Sequence, residues 1–236
     1  MTLRVKHLKR MMRVFGDLKI HPNGALSVNV TVQSKVKPIQ GQNWIETCPN
    51  AKEDMPPDMT NPLDRSAKIT CFVDADHALD QLTRRSVTKI LLFINNSPNR
   101  EISKHQKAVE TSNHGSQLVA AKEATVFITE MCCNLCTLGA PSNGLSLLFG
   151  DNQSVVLKTT VPFSIFKKKH KAAAYHSMHE SIAAGVLVFA PINGEDNHAD
   201  SATKSLGKAT FYRLACKVLF RQPDATGCEE RTTPVI

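Results

Sequence analysis

Hydrophobic and polar positions change period several times along this chain. Over residues 1–20, Leu8, Met11, Met12, Phe15 and Leu18 recur at helical spacing and predict a basic amphipathic helix. "HPNG" interrupts it, and "ALSVNVTV" then alternates as a strand does. Residues 34–67 show neither period and hold prolines and polar clusters, which predicts a long irregular connection. From residue 68 the pattern tightens. "KITCFVD" is a strand ending at Asp74, and the polar loop "ADHALDQLTRRS" leads to the strongly apolar "VTKILLFIN". "SPN" turns that strand back into "REISKHQ". Three strands with short links predict an antiparallel meander over 68–106.

A helix follows over 113–138, with Leu118, Ala121, Val126, Ile128, Met131, Leu135 and Leu138 as its apolar stripe and Gly139 and Pro141 as its stop. "LSLLFGDN" is nearly continuous in apolar residues up to Asp151, as a buried central strand would be. Helices over 152–159 and 164–184, the second closed by Gly185, lead to a fifth strand, "VLVFA", and a last helix starting near Asp200. Three strands followed by alternating helices and strands predict an α/β domain with a mixed five-stranded sheet.

Composition narrows the class. The chain has 236 residues with 42% hydrophobic, enough for one large domain or a medium one with an appendage. No apolar run approaches the ~18 residues of a membrane span. The basic N-terminus lacks the apolar stretch of a secretory signal. The expectation is a cytoplasmic or nuclear protein, neither secreted nor membrane-bound. Its net charge of +8 favours a polyanionic partner. The seven cysteines read as reduced thiols. Cys132, Cys133 and Cys136 have no second ligand pair at zinc-site spacing, and on a helix they read as small apolar core residues.

Three aspartates stand out by position: Asp74 and Asp151 at strand ends, Asp200 at a helix start. In open α/β sheets, sites gather where strands end. Carboxylates converging there repel one another unless a cation neutralises them, and hard oxygen ligands suit Mg²⁺ or Mn²⁺. Aspartate is also common in loops and caps. The pattern alone leaves both readings open.

The order of motifs carries a resemblance. The stretch from "FVDADHALDQLTRRS" through "ETSNHGSQLVAAKEA", with "GDNQSVV", "KKKHKAAAYHSMHESIAAGVL" and "NHADSATKSL", resembles the ribonuclease H domain of copia-type retrotransposon polyproteins over about residues 69–207. "HLKRMMRVFGDLKI" resembles the end of the reverse transcriptase domain that precedes it. The resemblance implies a remnant of that segment and an irregular connection over 1–67, a ribonuclease H-like domain over 68–207, and a tail over 208–236. No Tyr-x-Asp-Asp polymerase motif is present. The implied activity is cleavage of RNA in RNA–DNA hybrids, with two Mg²⁺ ions held by four carboxylates. Carried over by motif, Asp74, Asp151 and Asp200 are three of them. The fourth, a glutamate, falls at Gln117.

An amide oxygen there can still coordinate a hard cation but brings no charge, and the NH₂ face repels the ion if the amide is flipped. Glu123 is rotated away from Gln117 on the helix, Glu110 precedes the helix, and Asp76 shares a strand face with Asp74 if the strand continues that far. Other departures are Glu101 where the family usually has tryptophan, Lys89 where it usually has glycine, and "TKSL" for "TKPL". The site expected is therefore Asp74, Gln117, Asp151 and Asp200, with the aspartates as Mg²⁺ ligands, the second ion doubtful and Mn²⁺ an alternative. Hybrid or other nucleic acid is the expected partner, alongside the rest of the retroelement polyprotein. Lys167, Lys168, Lys169 and Lys171, with Arg84 and Arg85, are the expected phosphate contacts, and His176 and His179 read as helix-surface residues. The function expected is a ribonuclease H-like domain with weak or lost cleavage. The alternatives are a nucleic-acid-binding module that does not cut and an unselected retroelement fragment.

Overall fold

The computed structural model describes residues 25–26, 43–52, 59–63, 66–80, 82–142, 144–164, 171–202, 210, 214 and 219–220. The helix expected over 1–20, most of "ALSVNVTV" and Lys167 to Lys169 lie outside them. Ala25–Leu26 pairs antiparallel with Leu219–Phe220.

The main sheet has the five strands expected: β1 Ile69–Asp76, β2 Val87–Ile94, β3 Ser97–His105, β4 Ser146–Gly150 and β5 Leu187–Pro191. Their spatial order is β3-β2-β1-β4-β5. β1, β2 and β3 pair antiparallel, and β1–β4 and β4–β5 pair parallel. This is the mixed five-stranded sheet that the order of elements predicts. β1 and β2 are buried along nearly their whole length, which is why both read as apolar runs. β3 is polar, mostly exposed and carries Pro98, as an edge strand does. Asn95, at φ 56°, makes the β2–β3 turn, and its side chain accepts from the Lys68 N–H at 2.9 Å, tying the turn to the start of β1.

Parallel pairing needs crossovers. The first is helix α1, Asn113–Thr137. Ser112 caps it, accepting from the Gly115 N–H at 3.2 Å. The second contains α2, Gln153–Thr160, and α3, Ala172–Ala183. One core lies between α1 and the sheet face bearing Ile69, Cys71, Val73 and Ala75. The opposite face bears Phe72, Leu91, Phe93 and Phe149 under Ala199.

The stripe expected on α1 is partly corrected. Val126 is 48% exposed and Leu138 70% exposed. The buried face instead runs through Leu118, Ala120, Ala121, Ala124, Ile128, Cys132 and Leu135. The alanines form its centre because small side chains let the helix lie close to the sheet. Cys132 and Cys136 are buried in this face and Cys133 is half-buried. His179 is a second correction. It is 4% exposed, packed edge-on against Trp44, and its Nε2–H donates to the Lys158 carbonyl at 3.1 Å. Burial holds its imidazole below the ordinary histidine range, with His176 pushing the same way and the Lys158 carbonyl opposing.

Gly139 follows α1 at φ 69°, and a Cβ there would lie 3.1 Å from the Asn61 carbonyl oxygen. Gly139→Ala is expected to destabilise by about 2–3 kcal/mol. Gly144, at φ 76° with nothing within 4 Å of its would-be Cβ, is the comparison. Its alanine variant should cost only about 1 kcal/mol of backbone strain. Urea midpoints of the two variants measure the difference, and equal losses would remove the steric part of the argument.

Candidate metal and nucleic-acid site

The polar end of β1 is the starting point. Asp74 is 1% exposed, two residues before the strand ends. β4 lies next to β1, in register from Thr70↔Leu147 to Val73↔Gly150, so Asp151 follows directly beside Asp74. Asn152 caps α2, accepting from the Val155 N–H at 3.2 Å, and fixes how the chain leaves Asp151.

Asp200 arrives from the other side, in a 3-10 turn over His198–Ala202. Two contacts hold the turn against the sheet. The Asn197 side chain donates to the Val73 carbonyl at 3.0 Å and accepts from the Ala199 N–H at 3.1 Å. The His198 ring packs edge-on against Phe72, with centroids 4.6 Å apart. One carboxylate oxygen from each of Asp74, Asp151 and Asp200 lies within 4.8 Å of the others. Among the described residues no other group of three or more His, Cys, Asp or Glu side chains meets this condition. The donor set is hard, anionic and compact, and it fits one hard divalent cation.

Gln117 reaches the same place from the first turns of α1. Its Nε2 donates to Asp74 Oδ1 at 2.9 Å and to the Ala75 carbonyl at 3.2 Å. Both partners are acceptors, so the NH₂ face must point at them, and the amide orientation is fixed. Gln117 therefore presents donors, not an oxygen ligand, to the nearest aspartate. An open cleft of ≈ 630 Å³ is lined by Asp74, Asp76, His77, Gln117, Asp151 and their neighbours.

The chain was compared with known proteins. No family model matches it. It is 24% identical over 150 residues to the retrovirus-related Pol polyprotein from transposon RE1 of Arabidopsis thaliana, which covers 64% of this chain and 10% of that one. It is 24% identical over 160 residues to the corresponding polyprotein from transposon RE2, covering 67% of this chain and 11% of that one. The similarity is to one part of these transposon Pol polyproteins. The chain spans about a tenth of their length. Among solved structures it is similar to LC11 ribonuclease H1 in complex with an RNA/DNA hybrid. That match has 16% identity and a TM-score of 0.44, covering 56% of this chain and 91% of that one. A second is the N-terminal ribonuclease H domain of a Mycobacterium tuberculosis protein, with 12% identity and a TM-score of 0.43, covering 64% of this chain and 98% of that one.

The basic residues divide. Arg84 and Arg85 are exposed on the loop between β1 and β2. Lys171 is corrected: it is 7% exposed and ion-paired with the buried Glu110, so its charge is not offered to a phosphate. Lys89 is also buried, 5% exposed, on β2 opposite Asp74. Burial pulls its ammonium below the ordinary lysine range, against the opposing pull of Glu101, Asp74 and Asp76. Sequence reading missed Asn197 and His198. The available signal was a short polar side chain three residues before Asp200, the pattern of a local side-chain-to-backbone turn. No described helix is long and apolar enough to cross a membrane.

Proposed function

We propose that this chain is a retroelement-derived ribonuclease H-like domain that grips RNA–DNA hybrid through its backbone phosphates and cuts it weakly or not at all. The reading is supported by relationship to transposon Pol polyproteins and by the compact aspartate cluster. One observation carries the impairment: the Gln117 amide donates to Asp74 at the place the family resemblance gives to a carboxylate.

Asp74, Asp151 and Asp200 would hold Mg²⁺, or Mn²⁺ in its place. When bound, such a cation supplies Lewis acidity and neutralises charge that builds on a phosphodiester under attack. The chain's own residues set the limits. Gln117 ties up one Asp74 oxygen as an acceptor and adds no negative charge, so a second ion has too few ligands. Asn197 and His198 hold Asp200 against β1, which keeps the three carboxylates together. Lys167, Lys168 and Lys169, with Arg84 and Arg85, would supply the positive charge along the hybrid backbone.

Binding of this kind is sequence-independent and weakens steeply with salt. Mobility-shift titrations of a labelled hybrid at several salt concentrations test it. Replacing Lys167, Lys168 and Lys169 together with alanine should weaken binding about tenfold or more at low salt and flatten the log–log salt slope by roughly two to three. Unchanged affinity in the triple variant would return those lysines to a solvated surface and remove them from the interface.

A further inference from the structure

Lys89 and Glu101, two positions where the chain departs from the family pattern, occupy one face of the sheet. Lys89 lies directly opposite Asp74 in the β1–β2 register and opposite Ser103 in the β2–β3 register. Opposed residues of antiparallel strands point to the same face, with Cβ atoms about 5 Å apart. Asp76 is two residues from Asp74, and Glu101 is two residues from Ser103, so both take diagonal positions around Lys89 on that face. Phe72, Leu91 and Phe93, buried under Ala199, belong to the same face, so Lys89 stands on the side from which the Asp200 turn approaches. The register thus sets one cation among three carboxylates at the edge of the aspartate cluster.

We propose that Lys89 is a built-in counter-charge of this cluster, which offsets part of the aspartate charge and limits the site to a single, weakly held divalent ion. The proposal rests on the reading that Asp74, Asp151 and Asp200 hold such an ion. Asp74, Asp151 and Asp200 carry −3 toward a cation, and the Lys89 ammonium, which Glu101 and Asp76 also share, opposes part of that charge. Glu101 completes the arrangement by flanking Lys89 from the edge strand, so that a lysine is tolerated at a buried sheet position. The Gln117 amide and the Lys89 ammonium then act in the same direction. One leaves out a negative charge and the other adds a positive one.

Mn²⁺ binding to the full chain, read from the electron paramagnetic resonance signal of unbound Mn²⁺, tests this without reference to cleavage. The unmodified chain should bind one Mn²⁺ weakly. Lys89→Met, which keeps the apolar stem, and Lys89→Gln, which keeps a polar tip, should each bind about tenfold more tightly. Lys89→Arg should keep the weak affinity. Wild-type affinity in both neutral variants, or tight binding by Lys89→Arg, would overturn the proposal while leaving the metal site standing, provided Asp151→Asn abolishes the binding. Absence of Mn²⁺ binding in the unmodified chain, the Lys89 variants and Gln117→Glu alike would overturn both this proposal and the metal reading beneath it.

Discussion

Gln117→Glu is expected to raise cleavage of RNA in an RNA–DNA hybrid by roughly three orders of magnitude in Mg²⁺, from a level near background. The amide at this position is held by two acceptors, Asp74 Oδ1 at 2.9 Å and the Ala75 carbonyl at 3.2 Å. Replacing it with a carboxylate removes both donors and sets a fourth negative charge against Asp74. Without a cation the variant should lose about 2–3 kcal/mol of stability, because acceptors then face one another without donors. With a cation the same charge becomes a ligand, so the variant should recover stability as metal is added, in proportion to the logarithm of its concentration. The rate gain corresponds to about 4 kcal/mol of barrier, within reach of one charged ligand at a metal-assisted phosphodiester site. Mn²⁺ should rescue a trace of cleavage in the unmodified chain, since it tolerates irregular donor sets better than Mg²⁺. Single-turnover cleavage of labelled hybrid and melting curves with and without metal measure both effects. If the unmodified chain cuts at a rate close to its Gln117→Glu variant, Gln117 is not the defect. Asp76, which lines the same cleft, would then be the first candidate for the missing ligand.

The strand order was legible because β1, β2 and β4 are buried on both faces, so their apolar runs are nearly unbroken, while β3 shows its edge position in its charges and proline. The convergence of Asp74 and Asp151 followed from strand ends alone once β1 and β4 were neighbours. The failures share another cause. Val126 and Leu138 were assigned by hydrophobicity, but α1 packs through Ala120, Ala121 and Ala124, whose small size matters more than their hydropathy. His179 looked polar and turned inward because Trp44 and the Lys158 carbonyl serve its ring and its N–H. Lys89 and Glu101 read in sequence as two unrelated departures. Only the register makes them neighbours.

Lys171→Ala should be among the most destabilising single changes outside the aspartate cluster, at about 3–5 kcal/mol. Sequence reading grouped this lysine with its basic neighbours as a phosphate contact. In the fold it stands just before α3 and is ion-paired with Glu110, their side chains 8% and 3% exposed. Glu110 sits just before the first turn of α1, so the pair joins the starts of two helices that also pack against each other. Gly115 makes the room: a Cβ there would lie 2.8 Å from a Glu110 carboxylate oxygen and 3.5 Å from Lys171 Cε. Truncating the lysine leaves a buried carboxylate without its cation, and that desolvated charge is the main cost, not the loss of the attraction itself. The double change Lys171→Met with Glu110→Gln should therefore recover most of the loss, because neither partner is then charged and the apolar stem is kept. Urea unfolding of the single and double variants measures the cycle. A single variant that loses less than about 1 kcal/mol would mean that the pair behaves as an exposed one, and Lys171 would return to the basic surface from which the sequence first read it. A double variant as unstable as the single one would locate the cost in packing against Gly115 instead of in charge.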